Sequence, residues 1–142
     1  MASRAADWMR QAKRDLQHAQ DDLKGGYFEW ACFSAHQAAE KAVKAVFQHL
    51  HGEARGHSIR GLLKALVKKV AIPEELHEAG MRLDRFYIPT RYANSFDSGA
   101  PADYFGEDDA RKAIGDASRI VEFCEGRVPR SGGDAQESAA SG

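Results

Sequence analysis

Apolar residues recur at intervals of three and four positions along most of this chain, which is the spacing of one face of an α-helix. The first such segment runs from about Arg4 to Lys24, and the pair Gly25-Gly26 ends it. Its apolar positions are Trp8, Ala12, Leu16, Ala19 and Leu23. The pattern predicts a first helix with one face turned toward a core.

The second segment, from about Tyr27 to Leu50, is apolar over most of its circumference. Its many alanines allow neighbouring helices to approach closely. Polar residues are confined to a narrow strip of Glu29, His36, Gln37, Glu40, Lys41, Lys44 and Gln48. We therefore predict that this segment is the central helix of a bundle.

A third and a fourth helix are predicted downstream. The third is expected to start at Ser58, whose hydroxyl can cap a helix N-terminus, and to reach about Lys69. The fourth is expected to start at Pro73-Glu74. Proline has no amide hydrogen, and the first position of a helix does not need one. An acid there interacts favourably with the helix dipole.

The fourth helix should end near Tyr87, because Pro89 disfavours helical geometry at Ile88. Residues 88–105 are predicted to form an irregular connection. The helical spacing then returns at Ala110, Ala113, Ile114, Ala117, Ile120, Val121 and Cys124. These positions predict a fifth helix.

No strand-type alternation or internal repeat interrupts this helical pattern. The sequence predicts an all-α fold, an antiparallel up-and-down helical bundle of about five helices, over residues 4–126. Residues 127–142 have no periodic apolar pattern, so we predict a disordered C-terminal tail. With 142 residues in total, a single domain is expected.

Charge and hydropathy limit the classes of binding partner that the sequence predicts. The formal net charge is −1, so nucleic acid gains no global attraction and a phosphate contact requires a local basic cluster. No apolar run is long enough for a membrane span or a signal peptide. We expect a cytoplasmic protein with no membrane partner.

The metal-binding residue types do not form a recognisable motif. Cys32 and Cys124 lie in apolar helical patterns without CxxC spacing, and we interpret them as buried thiols. His49, His51 and His57 lie close together, but their spacing matches no standard zinc site. The sequence therefore predicts no metal and no cofactor.

Three segments resemble the HEPN family, named for nucleotide binding in higher eukaryotes and prokaryotes. They read WMRQAKRDLQHA from Trp8, WACFSAHQAAEKAV from Trp30 and LDRFYIPTRYAN from Leu83, with HSIRGLL from His57 between the last two. The resemblance covers about residues 4–126. It implies a four- or five-helix bundle that commonly forms a dimer, often encoded beside a small nucleotidyltransferase in a toxin–antitoxin pair.

Catalytic HEPN proteins are metal-independent ribonucleases in which four to six residues separate an arginine from the histidine that follows it. Histidine can move the proton of a ribose 2′-hydroxyl, and arginine can hold the scissile phosphate. The resemblance places Arg91 at the arginine position, but no histidine follows it at that distance. Lys44 precedes His49 by the right interval, yet lysine does not reproduce the bidentate arginine clamp. We therefore predict no catalytic residue.

Charged and aromatic residues gather at the end of the predicted fourth helix and the loop after it. The candidate residues for nucleotide or phosphate binding are Asp84, Arg85, Tyr87, Arg91 and Tyr92. Such a set can hold a phosphate and stack a base. The alternative is that the same residues only attach this loop to the bundle.

Gln37, Lys41 and Lys44 are secondary candidates, because spacings of four and three place them side by side on the central helix. A solvated strip or a partner interface explains them equally well.

Three functional hypotheses follow. The first is a non-catalytic nucleotide- or RNA-binding module, a homodimer that acts with a small nucleotidyltransferase. The second is a ribonuclease toxin with an altered active site. The third is a structural adaptor without a ligand.

Overall fold

The computed structural model describes residues 3–130, and these residues form five α-helices and no strand. The helices are α1 (Ala5–Gly25), α2 (Phe28–His49), α3 (Ile59–Leu66), α4 (Glu74–Asp84) and α5 (Glu107–Glu125). The all-α prediction is confirmed. Of the predicted tail, residues 131–142 lie outside the described part. No helix within residues 3–130 has the length and apolar character that crossing a bilayer requires.

Helix α2 is the centre of the bundle and packs against the other four helices. Its alanines at positions 31, 35, 38, 39, 42 and 45 are all fully buried, which brings the neighbouring helices close to its backbone. The polar strip of α2 is not a solvated surface. His36 is 0% exposed and Glu40 only 4% exposed, so both must find polar partners inside the protein.

Helices α3 and α4 cross at Gly80. A Cβ atom placed on Gly80 would lie 2.9 Å from Cγ2 of Ile59 and 3.4 Å from the backbone nitrogen of Arg60. Only glycine leaves room for this contact without a shift of either helix. The close crossing brings the C-terminal end of α4 to the N-terminal end of α3.

Two predicted helix ends were too late. Helix α3 ends at Leu66 rather than near Lys69, and α4 ends at Asp84 rather than near Tyr87. Beyond Asp84, backbone amides donate to carbonyls three residues back, and side chains donate to two later carbonyls. The Thr90 hydroxyl donates to the Phe86 carbonyl at 2.6 Å, and Arg91 Nε donates to the Tyr87 carbonyl at 3.0 Å.

The connection between α4 and α5 is largely irregular, as predicted, but contains two short 3₁₀ turns at Ala93–Ser95 and Pro101–Asp103. A buried carboxylate fixes the two flanking helices to each other. Asp116 of α5 accepts two hydrogen bonds from the Arg82 guanidinium of α4, each 2.9 Å long. This bidentate pair holds α4, and with it the start of the connection, against α5.

Candidate functional site

Asp84 lies where the close crossing of α3 and α4 ends, and it caps α3. Its carboxylate accepts hydrogen bonds from the amides of Ile59 and Arg60, at 2.8 and 3.1 Å. The Ser58 hydroxyl donates to it at 3.0 Å, and Nε2 of His36 lies 3.2 Å away. Negative charge at a helix N-terminus is favourable, so Asp84 stabilises the start of α3.

These hydrogen bonds also determine the ionisation of Asp84. Burial by itself would raise the pKa of this carboxyl, but the hydrogen bonds from His36, the two amides and Ser58 outweigh it and lower the pKa. Asp84 is therefore a carboxylate whose acceptor positions are already used by the protein.

A buried polar chain continues from Asp84 into α2. Because a carboxylate only accepts, Nε2 of His36 carries the proton shared with Asp84, and Nδ1 accepts from the Gln37 amide at 3.3 Å. One turn further along α2, Glu40 accepts from Nζ of Lys44 at 2.9 Å. Within residues 3–130, no buried side-chain nitrogen or oxygen lacks a hydrogen-bond partner.

His57 joins this chain from the loop before α3. Its Nδ1 lies 3.1 Å from Oε2 of Glu40, while its side chain stays about half exposed. The imidazole stacks on the ring of Tyr87 at a centroid distance of 4.8 Å and an interplanar angle of 18°. Glu40 therefore occupies one ring nitrogen of His57, and Nε2 has no hydrogen-bond partner within the described part of the chain.

Arg91 lies against the same tyrosine. Its guanidinium carbon is 4.8 Å from the Tyr87 ring centroid, 4.5 Å from that of Phe33 and 5.1 Å from that of Tyr92. These distances are those of cation–π contacts. Nε donates to the Tyr87 carbonyl, and no carboxylate among residues 3–130 lies within 4.0 Å of the guanidinium. The two terminal nitrogens thus have no acid partner in this part of the protein.

The five main candidates have different surroundings. Tyr87, Arg91 and Tyr92 form one cluster, which we call the Arg91 cluster and which also includes Phe33 and His57. Asp84 lies behind it, at the α3 N-terminus. The side chain of Arg85 is exposed and forms no salt bridge within residues 3–130.

The three secondary candidates each have a polar partner within residues 3–130. Gln37 contacts His36, and Lys44 pairs with Glu40 one turn earlier on α2. Lys41 forms a salt bridge with Asp15 of α1. Each polar group therefore has its own partner within the bundle.

The family model for the HEPN domain matches residues 5–127. The chain belongs to the HEPN family. No curated protein sequence matches this HEPN protein.

Three solved structures are similar to this HEPN protein. TT1696 from Thermus thermophilus is 42% identical with a TM-score of 0.87, covering 89% of this chain and 100% of that chain. ST0689, an archaeal HEPN homologue, is 40% identical with a TM-score of 0.75, covering 89% and 98%. An HEPN domain protein from Thermotoga maritima, TM0613, is 40% identical with a TM-score of 0.68, covering 84% and 94%.

Sequence reasoning did not include His57 in the candidate site of this HEPN protein. Ser58 was correctly predicted to cap α3, since its hydroxyl accepts from the Gly61 amide at 3.0 Å. The histidine beside it was considered only as a metal ligand. Within residues 3–130, no three His, Cys, Asp or Glu side chains come together as a metal site would require. The one available signal was the position of His57 at the start of the HSIRGLL segment.

Proposed function

We propose that this HEPN protein binds the phosphate of a nucleotide or RNA at Arg91 and does not cleave it. The observation that supports this function is that the Arg91 guanidinium is held in a fixed position without an acid partner among the described residues. Three aromatic rings and the Tyr87 carbonyl hold it in place, and no acid among residues 3–130 neutralises it. A planar guanidinium with two free nitrogens is suited to bidentate phosphate binding.

Tyr92 supplies the second part of the proposed site. Its side chain is 48% exposed, although its ring lies 5.1 Å from the Arg91 guanidinium. An exposed aromatic face beside a bound phosphate can stack on a nucleobase. A phosphate contact and a stacking contact together favour a nucleotide over inorganic phosphate.

Calorimetric titration with AMP and ATP tests this proposal. Arg91→Gln should abolish saturable binding, and Arg91→Lys should weaken it strongly because lysine keeps the charge but loses the planar fork. Arg14→Gln is the matched control, since Arg14 is an exposed arginine of α1 without a salt bridge in residues 3–130. Equal affinity of the Arg91 and Arg14 variants would refute the proposal.

A specific observation favours a second candidate, the metal-independent cleavage of RNA. His57 and Arg91 both contact the Tyr87 ring, so the fold brings together a histidine and an arginine that are far apart in sequence. Nε2 of His57 can accept the proton of a ribose 2′-hydroxyl while Arg91 stabilises charge on the phosphate. Cleavage in the presence of EDTA that is lost in both His57→Gln and Arg91→Gln would establish this function in place of simple binding.

The proposed partners are a second copy of the chain and a small nucleotidyltransferase, in a cytoplasmic toxin–antitoxin setting. Burial of α2 is no argument for a dimer, because the helices of one chain already cover it. The start of α2 is different. Tyr27 is 60% and Trp30 45% exposed, and large aromatic groups exposed together often mark an interface.

Light scattering tests the dimer. Tyr27→Ser/Trp30→Gln should lower the molar mass in solution to that of a single chain, whereas Met81→Gln, at an exposed methionine of α4, should not. A monomeric wild type would contradict the dimer. Co-purification with a nucleotidyltransferase encoded beside the protein tests the second partner.

A further inference from the structure

The outer face of α3 and the turn after it form a basic surface. Arg60 and Lys64 are one helical turn apart on α3, and Lys68 and Lys69 follow in the turn, where all four side chains are exposed. Between positions 54 and 73 the chain contains no Asp or Glu. We call these four residues the α3 basic face. Its charge is therefore not balanced by acids of the same segment.

Acids from other segments do not form ion pairs with the α3 basic face either. None of its four residues forms a salt bridge within residues 3–130. Several exposed cations of other helices are paired, as in Arg4 with Asp7 on α1 and Lys112 with Asp108 on α5. A chain of almost zero net charge thus leaves a local group of cations without ion pairs on α3 and the turn after it.

The α3 basic face begins beside the Arg91 cluster. His57, two residues before α3, stacks on Tyr87, and Arg91 contacts the same ring. The amide of Arg60 is fixed to Asp84 at the end of α4. From Arg60 to Lys68 the surface extends a further 12 Å or so at about 1.5 Å per residue. One phosphate group cannot contact cations spread over that length, but a chain of phosphates can.

We infer that the α3 basic face carries the backbone of a single-stranded nucleic acid, one nucleotide of which lies at Arg91 and Tyr92. This inference rests on the proposed binding function. The phosphates contact Arg60, Lys64 and Lys68, and a base stacks on the exposed ring of Tyr92. Stacking requires an accessible base face, which a single strand offers and a duplex hides.

The test compares binding of AMP, a labelled 12-nucleotide oligouridylate and a duplex of the same length, by calorimetry for AMP and fluorescence anisotropy for the oligonucleotides. The wild type should bind the single strand more tightly than AMP or the duplex. Lys64→Glu/Lys68→Glu should weaken single-strand binding about tenfold or more and leave AMP binding unchanged. The slope of log K against log salt should fall by about 0.7 for each phosphate that no longer meets a cation.

Arg14→Glu/Lys24→Glu is the matched control, because it makes the same change of charge at exposed α1 cations without salt bridges in the described residues. If both double variants lose the same affinity, only the net charge matters and the inference is wrong. Duplex binding as tight as single-strand binding, or equally effective competition by polyglutamate, would also overturn it. Retained AMP binding in these cases leaves the proposed function standing, whereas a wild type that binds neither AMP nor the single strand contradicts both.

Discussion

The carboxylate of Asp84 and the amide of Ile59 are joined by a 2.8 Å hydrogen bond between the end of α4 and the start of α3. This bond positions the loop with His57 beside the loop with Tyr87 and Arg91. The cap of one helix thereby determines the geometry of the candidate site.

Replacing Asp84 should destabilise the fold in a pH-dependent way. Asp84→Asn keeps the shape of the side chain but removes the charge at the α3 N-terminus. We expect the free energy of unfolding at pH 7 to fall by about 1–2 kcal/mol. The pKa of Asp84 is lowered below its ordinary 3.8, so its stabilisation is present above that value and is lost as the pH falls through the folded-state pKa. Urea unfolding at pH 7 and pH 3 measures both effects.

The difference in free energy of unfolding between wild type and Asp84→Asn should therefore be smaller at pH 3 than at pH 7. Asp97→Asn, at an exposed loop carboxylate, serves as the control and should change stability by less than about 0.5 kcal/mol. A difference that stays constant between the two pH values would contradict the role of the ionised carboxylate.

Gly80→Ala should destabilise the protein by about 1–3 kcal/mol, because the new methyl group would meet Ile59 at 2.9 Å and Leu63 at 3.3 Å. Gly115→Ala on α5 is the matched helical control. Its methyl group would approach only the Arg119 guanidinium, at 3.7 Å, so the gain in helix propensity should stabilise the protein by up to about 1 kcal/mol. Thermal unfolding of both variants checks the opposite signs, and equal effects would show that α3 and α4 do not need the close crossing.

Glu40 and His57 should be energetically coupled. Their contact is 3.1 Å long, but His57 is about half exposed, so we expect a coupling free energy of about 0.5–1 kcal/mol. A double-mutant cycle with Glu40→Gln and His57→Gln, measured by urea unfolding, gives this value. Additive effects would mean that the contact does not hold the imidazole in place.

Both cysteines should resist thiol reagents in the folded protein. Burial raises the pKa of Cys32 and of Cys124 to about 12, so almost no thiolate forms at pH 8. Ellman's reagent should react with neither thiol in buffer and with both in guanidinium chloride. Rapid reaction of one cysteine in the native protein would contradict its burial.

Helical periodicity predicted which segments become helices, because α1 and α5 each have a regular apolar face and α2 is apolar over most of its circumference. It did not predict the ends at Leu66 and Asp84. After Asp84 the backbone hydrogen bonds reach only three residues back, and the side chains of Thr90 and Arg91 donate to the carbonyls that follow. Such contacts have no signature in the spacing of apolar residues.

The candidate site could be predicted only where its residues are neighbours in sequence. Tyr87, Arg91 and Tyr92 are close together in the chain and form one cluster. His57 was missed, because its partner Glu40 is 17 positions away and only the fold brings them together. The salt bridge of Lys41 with Asp15 on another helix could not be predicted from sequence for the same reason.

The three rings around Arg91 have a consequence for the energetics of recognition. A free arginine side chain loses about 2 kcal/mol of rotamer entropy when it is immobilised. In this protein Phe33, Tyr87 and Tyr92 have already restricted the guanidinium before a ligand arrives. The site is preorganised, so an anion that reaches it does not have to bear that entropic cost.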